Sequence, residues 1–138
     1  AFFDSPVHGI SHWQTVEHNG HYLADFNGAD KNVISYFAYF HDCMRKNEYE
    51  DSKHGLRGAQ FAREHRKLID LTEIQFEQLT DACKGHTYGR RPECATINTC
   101  WDADRLDIGR VGITPSSEFL HSDEAKRIAD TKDFAVLH

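Results

Sequence analysis

The sequence predicts a single all-α domain, residues 1–138, built of about six helices, and three observations predict it. A chain of 138 residues has the size of one ordinary domain and too little material for two full cores. It holds no internal repeat, low-complexity tract or Pro/Ser-rich linker that would mark a boundary. Helix start and stop signals recur along its whole length.

Ser11 is placed to cap a first helix running to about Phe26, where Asn27-Gly28 stops it, and Asp30 to cap a second from about Lys31 to Asp42. The stretch from Val33 to Phe40 is rich in β-branched and aromatic residues and would serve alone as a strand; its helical neighbours decide for helix. Asn47 to Asp51 is a polar loop, after which Ser52 starts a third helix to about Ile69. Thr72-x-x-Gln75 is a capping box opening a fourth helix that ends near Gly85. The chain is then irregular through Gly89, Arg90, Arg91 and Pro92, and a fifth helix spans about Ala95 to Ile108. Gly109, Gly112 and Pro115 break the pattern, and Ser122, with Asp123 and Glu124 behind it, opens a last helix.

Composition narrows the function classes. Apolar residues at 39% and charged residues at 28% exclude a disordered or fibrous chain. The longest apolar run, Val33 to Phe40 with Ser35 inside it, falls far short of the ~18 residues of a membrane span, and no basic-then-apolar leader opens the chain. The expectation is a soluble, cytoplasmic protein with no membrane partner. A net charge of -6 argues against a nucleic-acid polymer as partner, which requires a basic face. Cys43, Cys83, Cys94 and Cys100 lack C-x-x-C spacing and read as free thiols; a zinc knot of Cys83, His86, Cys94 and Cys100 would have irregular spacing.

The composition is unusual in its ten histidines, set against one methionine and three prolines. Histidine is the commonest metal ligand and titrates near neutrality. Ligands that converge from different helices must occupy the stripe that otherwise faces the core, so helical spacing selects among them. His12 aligns with Val16, Leu23 and Phe26; His41 continues the Val33, Phe37, Phe40 stripe and is followed at once by Asp42. His54 shares a face with Gly58, Phe61, Ala62, His65 and Ile69, and Asp104 with Ile97, Cys100, Trp101 and Ile108, which prefers Asp104 to Asp102 as the inward carboxylate. His8, one turn before His12, is its rival; His18, His21, His65 and His121 read as surface or core residues. Mixed imidazole and carboxylate ligands suit zinc, manganese, iron or nickel, and the absence of evident thiolate ligands disfavours a structural zinc.

His12 with Val16 behind it, the adjacent pair His41-Asp42, and Asp104 within Asp102-Ala-Asp-Arg-Leu-Asp107 resemble the H…HD…D signature of the HD-domain metal-dependent phosphohydrolase superfamily. His54-Gly-Leu-Arg-Gly58-Ala59 is similar to the H-x-x-x-G-A segment of dinuclear members, and His86 in Gly85-His-Thr-Tyr-Gly89 sits where those members place another histidine. The resemblance covers roughly residues 8 to 112. It implies a compact HD-type helical bundle in which His12, His41, Asp42 and Asp104 hold one metal, Asp42 bridges, and His54 and His86 hold a second. The implied cofactor is one or two divalent ions, from among Mn, Ni, Co, Mg, Zn and Fe.

The chain departs from the pattern three residues after Asp42, where many members carry Lys or Glu: here stand Arg45 and then Lys46. A cation there can hold a phosphate but cannot act as a base, which leaves Glu48, or Asp51 beyond it, as the carboxylate for proton transfer. Arg45 first, then Arg57, Arg90 and Arg91, are the candidates to clamp an anionic substrate. Arg105 and Asp107 flank Asp104 and read as a supporting ion pair; Asp102 is expected to accept a hydrogen bond from a ligating imidazole. The expected activity is hydrolysis of a small phosphoester, such as a nucleotide, by metal-activated water with Asp42, Arg45 and Glu48 at the reacting centre. Two alternatives use the same residues: a dinuclear-iron oxygenase of the same fold, and a non-catalytic helical module with a structural or sensing metal.

Overall fold

The computed structural model describes residues 9–44, 53–85 and 94–138. Among them there is no strand, and six α-helices form the domain. They are α1 (Ile10–Asn27), α2 (Lys31–Phe40), α3 (His54–Glu64), α4 (Glu73–Gly85), α5 (Ala95–Arg105) and α6 (Asp123–Thr131), with single 3-10 turns at Arg66–Leu68, Ile108–Val111, Ser117–Phe119 and Phe134–Leu137. The all-α expectation holds, including α2, whose β-branched and aromatic run is helical. No described helix is long and apolar enough to cross a membrane.

The caps explain why the elements begin and end where they do. Asp30 accepts from the backbone N–H groups of Asn32 and Val33, satisfying two of the donors a helix start leaves without partners. The capping box is complete: Gln75 N–H donates to Thr72 Oγ1 at 3.2 Å, and Thr72 N–H to Gln75 Oε1 at 2.8 Å. Ser122 caps α6 by accepting from Ala125 N–H, and α1 stops at Gly28 in the left-handed conformation, φ 73°.

Four sequence expectations shift. Helix α1 starts at Ile10 with Gly9 as its N-cap, so Ser11 lies inside the first turn and caps nothing. Helix α3 ends at Glu64 because the His65 N–H is shared between the Phe61 and Ala62 carbonyls, which tightens the chain into the following 3-10 turn. Helix α5 ends at Arg105, where Asp107 N–H bonds back to the Asp104 carbonyl over three residues. Phe26 is 60% exposed. At about 100° per residue it lies about 80° around the helix from Val16, off the stripe that Val16 and Leu23 define. Ser52 lies outside the described residues.

Helix α1 packs along α5 and α2, and α4 lies against α3, α2 and α5. Val16, Val33, Ile34, Phe37, Leu79 and Ile97 fill the space between them, each burial contributing about 1.5–3 kcal/mol. Helix α5 is central: Thr96 through Ala103 are all buried. A smaller apolar cluster of Leu23, Leu106, Leu120, Ala125, Ile128 and Leu137 fastens α6 to the bundle. Gly58 lets α3 close on the end of α2, since a Cβ there would overlap the Phe40 carbonyl oxygen. The packing brings four chain segments to one place: the start of α1, the end of α2, the start of α3 and the end of α5.

Candidate metal centre

His41 is the C-cap of α2, and the apolar run before it decides where its ring goes. The imidazole stacks on Phe37, with centroids 4.8 Å apart and planes 18° apart. Its Nδ1 lies 3.0 Å from both the Phe37 carbonyl oxygen, which also accepts from the His41 backbone N–H, and the Ala38 carbonyl oxygen, at the helix end where carbonyls begin to lack intrahelical donors. Carbonyls only accept, so Nδ1 carries the proton and Nε2 presents its lone pair on the opposite side of the ring.

His12, in the first turn of α1, is built the same way from a different partner. Its Nδ1 lies 2.7 Å from Asp107 Oδ2, and a carboxylate likewise only accepts. Both rings therefore aim a lone-pair Nε2 at a common point, and the two Nε2 atoms are 3.1 Å apart. Asp104 Oδ1 joins them at 3.0 Å from His12 Nε2 and 3.5 Å from His41 Nε2. Asp42 Oδ2 stands 3.9 and 3.8 Å from the same two nitrogens.

These spacings fit a cation. A divalent first-row ion about 2.1 Å from each ligand spans ligand–ligand edges of about 3.0 Å in an octahedron and about 3.4 Å in a tetrahedron. The three edges between His12, His41 and Asp104 are 3.1, 3.0 and 3.5 Å. His12, His41 and Asp104 form a buried to half-buried group that could hold a metal ion, with Asp42 at its border. Two helix ends, those of α2 and α5, and two helix starts, those of α1 and α3, meet here, so the helix dipoles of opposite sign offset one another and the charge preference of the point is set by its side chains. Burial alone would raise the Asp104 carboxyl; the charge and hydrogen bonds of the His41 and His12 rings, when these carry a proton on Nε2 in the absence of a metal, outweigh it and hold the group well below the usual carboxylate range.

Asp42 faces two ways. While Oδ2 borders the first cluster, Oδ1 lies 3.1 Å from Nε2 of His54, the first residue of α3. Both side chains are nearly fully buried. The carboxylate thus links the α2 end to the α3 start. Arg57, one turn after His54, donates through Nε to the Met44 carbonyl at 3.0 Å and so ties α3 to the turn that carries Asp42.

His12, His41, Asp42, His54 and Asp104, expected to converge, are brought together here. Asp102 departs from expectation. It is fully buried but accepts from the backbone N–H groups of His121 at 2.9 Å and Ser122 at 2.7 Å, not from a ligating imidazole. Burial raises its carboxyl pKa, and those two bonds offset the rise only in part. The carboxylate behind His12 is Asp107 instead. Nor do Arg105 and Asp107 form a pair: the Arg105 guanidinium lies over the Phe119 ring, 4.8 Å from its centroid. His8, Arg45, Lys46, Glu48, Asp51, His86, Arg90 and Arg91 lie outside the described residues. His21 bonds Ser35 and the Lys31 carbonyl, and His65 Nδ1 bonds the Phe61 carbonyl, both away from the centre.

Comparison of the chain with family models, with curated proteins and with solved structures found no match.

Proposed function

We propose that the centre holds a divalent metal ion and that the protein hydrolyses a small phosphorylated molecule in the manner of an HD-type phosphohydrolase. The convergence of two lone-pair Nε2 atoms with Asp104 at metal-ligand spacing carries this reading. The order of the contributing residues, His12, His41-Asp42 and Asp104 along the chain, supports the HD type. Asp42 with His54 supports a second ion, for which His86 would be the further ligand.

A divalent ion bound there would lower the pKa of a water toward neutrality and polarise a phosphoryl oxygen. The chain supplies the rest. The α2 carbonyls and Phe37 fix the His41 ring, and Asp107 fixes that of His12. Asp42 divides its two oxygens between the first cluster and His54. His12 and His41 have wholly buried side chains while that of Asp104 is 19% exposed, so a substrate reaches the centre along the Asp104 side. Arg45, Arg57, Arg90 and Arg91 are the proposed phosphate clamps and Glu48 the proposed proton-transfer group. All four cysteines are free thiols, which suits a reducing compartment such as the cytoplasm.

The test is turnover of a panel of phosphoesters, nucleotides among them, with added manganese, cobalt, nickel or magnesium, beside metal content by mass spectrometry. The wild type is expected to carry metal and hydrolyse at least one substrate, and His41→Ala to lose both. Wild-type turnover by His41→Ala would refute the assignment. Iron at two per chain with oxygen uptake would identify the oxygenase alternative, and bound metal with no activity on either panel the non-catalytic one.

A further inference from the structure

We propose that Asp107 is a positioning residue of the centre: its carboxylate orients the His12 ring and holds a proton on Nδ1, which leaves Nε2 as the nitrogen offered to a metal. The inference rests on reading the His12, His41, Asp104 cluster as a metal centre. Asp107 follows the last turn of α5, where its N–H bonds back to the Asp104 carbonyl at 3.1 Å. One turn of chain therefore sends Asp104 to the lone-pair side of His12, at 3.0 Å, and Asp107 to the opposite side of the same ring, at 2.7 Å.

The two histidines differ in what stands behind them. His41 Nδ1 meets neutral carbonyls supplied by its own helix, which hold whatever the rest of the chain does. His12 Nδ1 meets a full negative charge brought from the far end of the sequence, while its own side chain is wholly buried and that of Asp107 is 23% exposed. An ionised carboxylate can only accept, so it excludes the other tautomer. It also makes the imidazole a stronger donor to a metal and adds a negative charge close to the bound ion. An asparagine of the same shape can turn its NH2 toward Nδ1, which stabilises the Nε2–H tautomer and covers the ligand atom with a proton.

A purely structural role, pinning the end of α5 to α1, would predict a stability loss and nothing specific to the ring. Asp107→Asn separates the two. In full-length, metal-free protein, nitrogen-15 NMR of the imidazoles is expected to report a proton on His12 Nδ1 in the wild type, whether or not Nε2 also carries one, and its loss to an Nε2–H form or a mixture in Asp107→Asn. Mn²⁺ affinity, read by electron paramagnetic resonance of the free ion, is expected to fall about 10–100-fold in Asp107→Asn. Asp107→Glu keeps an acceptor-only carboxylate and is expected to retain the Nδ1 proton and to bind Mn²⁺ more tightly than the asparagine variant.

Unchanged Mn²⁺ affinity in a folded Asp107→Asn, against a binding wild type, would overturn the proposal and leave the metal reading standing. No Mn²⁺ binding by the wild type, with none of Co²⁺ or Ni²⁺ either, would overturn both. If Asp107→Asn does not fold, Asp107→Glu decides alone: loss of the Nδ1 proton in that variant would overturn the proposal.

Discussion

Replacing Gly58 by alanine should separate α3 from α2 and break the His54–Asp42 contact. Gly58 lies one helical turn after His54 on the same face of α3. An added Cβ would overlap the Phe40 carbonyl oxygen, stand 3.2 Å from its carbon, and approach the His41 carbonyl oxygen at 3.9 Å. All three atoms are backbone at the end of α2, so no rotamer change clears the overlap. Restoring ordinary van der Waals separation requires α3 to retreat by about 1 Å. His54 Nε2, now 3.1 Å from Asp42 Oδ1, would then be beyond hydrogen-bond range.

Overpacking a fitted contact costs about 1–3 kcal/mol. A lost hydrogen bond to a charged group costs about 1.5–3 kcal/mol more. The better helix propensity of alanine returns about 1 kcal/mol. The expected net loss is about 1.5–5 kcal/mol. Urea unfolding followed by circular dichroism reads this as a midpoint lowered by about 1–2 M at unchanged slope. Gly109→Ala is the control: nothing lies within 4 Å of a Cβ built there, and its stability should stay within about 0.5 kcal/mol of wild type. A Gly58→Ala midpoint equal to that of Gly109→Ala would refute the close-approach account.

Two further outcomes follow from other buried groups. Asp102→Asn should destabilise by about 2–4 kcal/mol, because one of the two backbone donors from His121 and Ser122 would face an amide NH2, and hydrogen exchange should show α6 loosened first; α6 protection equal to wild type would refute this. Of the four cysteines only Cys94 is partly exposed. Cys83 and Cys100 are buried with thiols pushed well above the ordinary value, and burial pushes Cys43 up to about 12. A thiol reagent at pH 8 should therefore modify one cysteine per folded chain and four after denaturation, and fast reaction of a second would contradict the burial.

Caps were legible in the sequence because they are local chemistry. Asp30, Thr72 with Gln75, and Ser122 bond groups two or three residues away, so composition and spacing suffice to find them. Helical spacing also selected His12, His41, His54 and Asp104, since each sits on an amphipathic helix or at its end, where a polar residue on the buried stripe stands out. Spacing failed where its premise failed. Helix α5 touches α1, α2 and α4 and buries Thr96 through Ala103 on every side, so an inward Asp104 does not make Asp102 outward. Asp107 lies past the last turn of α5, where periodicity no longer says which way a side chain points. Its partner comes from the opposite end of the chain, and only the folded packing of α1 on α5 pairs them.

The centre also runs against the economy of the rest of the fold. A chain of net charge -6 gathers Asp42, Asp104 and Asp107 around one pair of imidazoles, where two helix ends and two helix starts meet. Asp42 is buried and Asp104 and Asp107 are partly so, and carboxylates gathered this closely are stabilised by positive charge placed among them. Both rings spend their Nδ1 protons on acceptors, so a hydrogen bond across the 3.1 Å between their Nε2 atoms requires a second proton on one ring. A proton can fill that role for two nitrogens at a time. A divalent ion can fill it for both nitrogens and the Asp104 oxygen together, and neutralise two carboxylates in doing so. Apolar residues of similar volume would pack these helix ends at lower cost, so the cluster is better understood as a site than as part of the core.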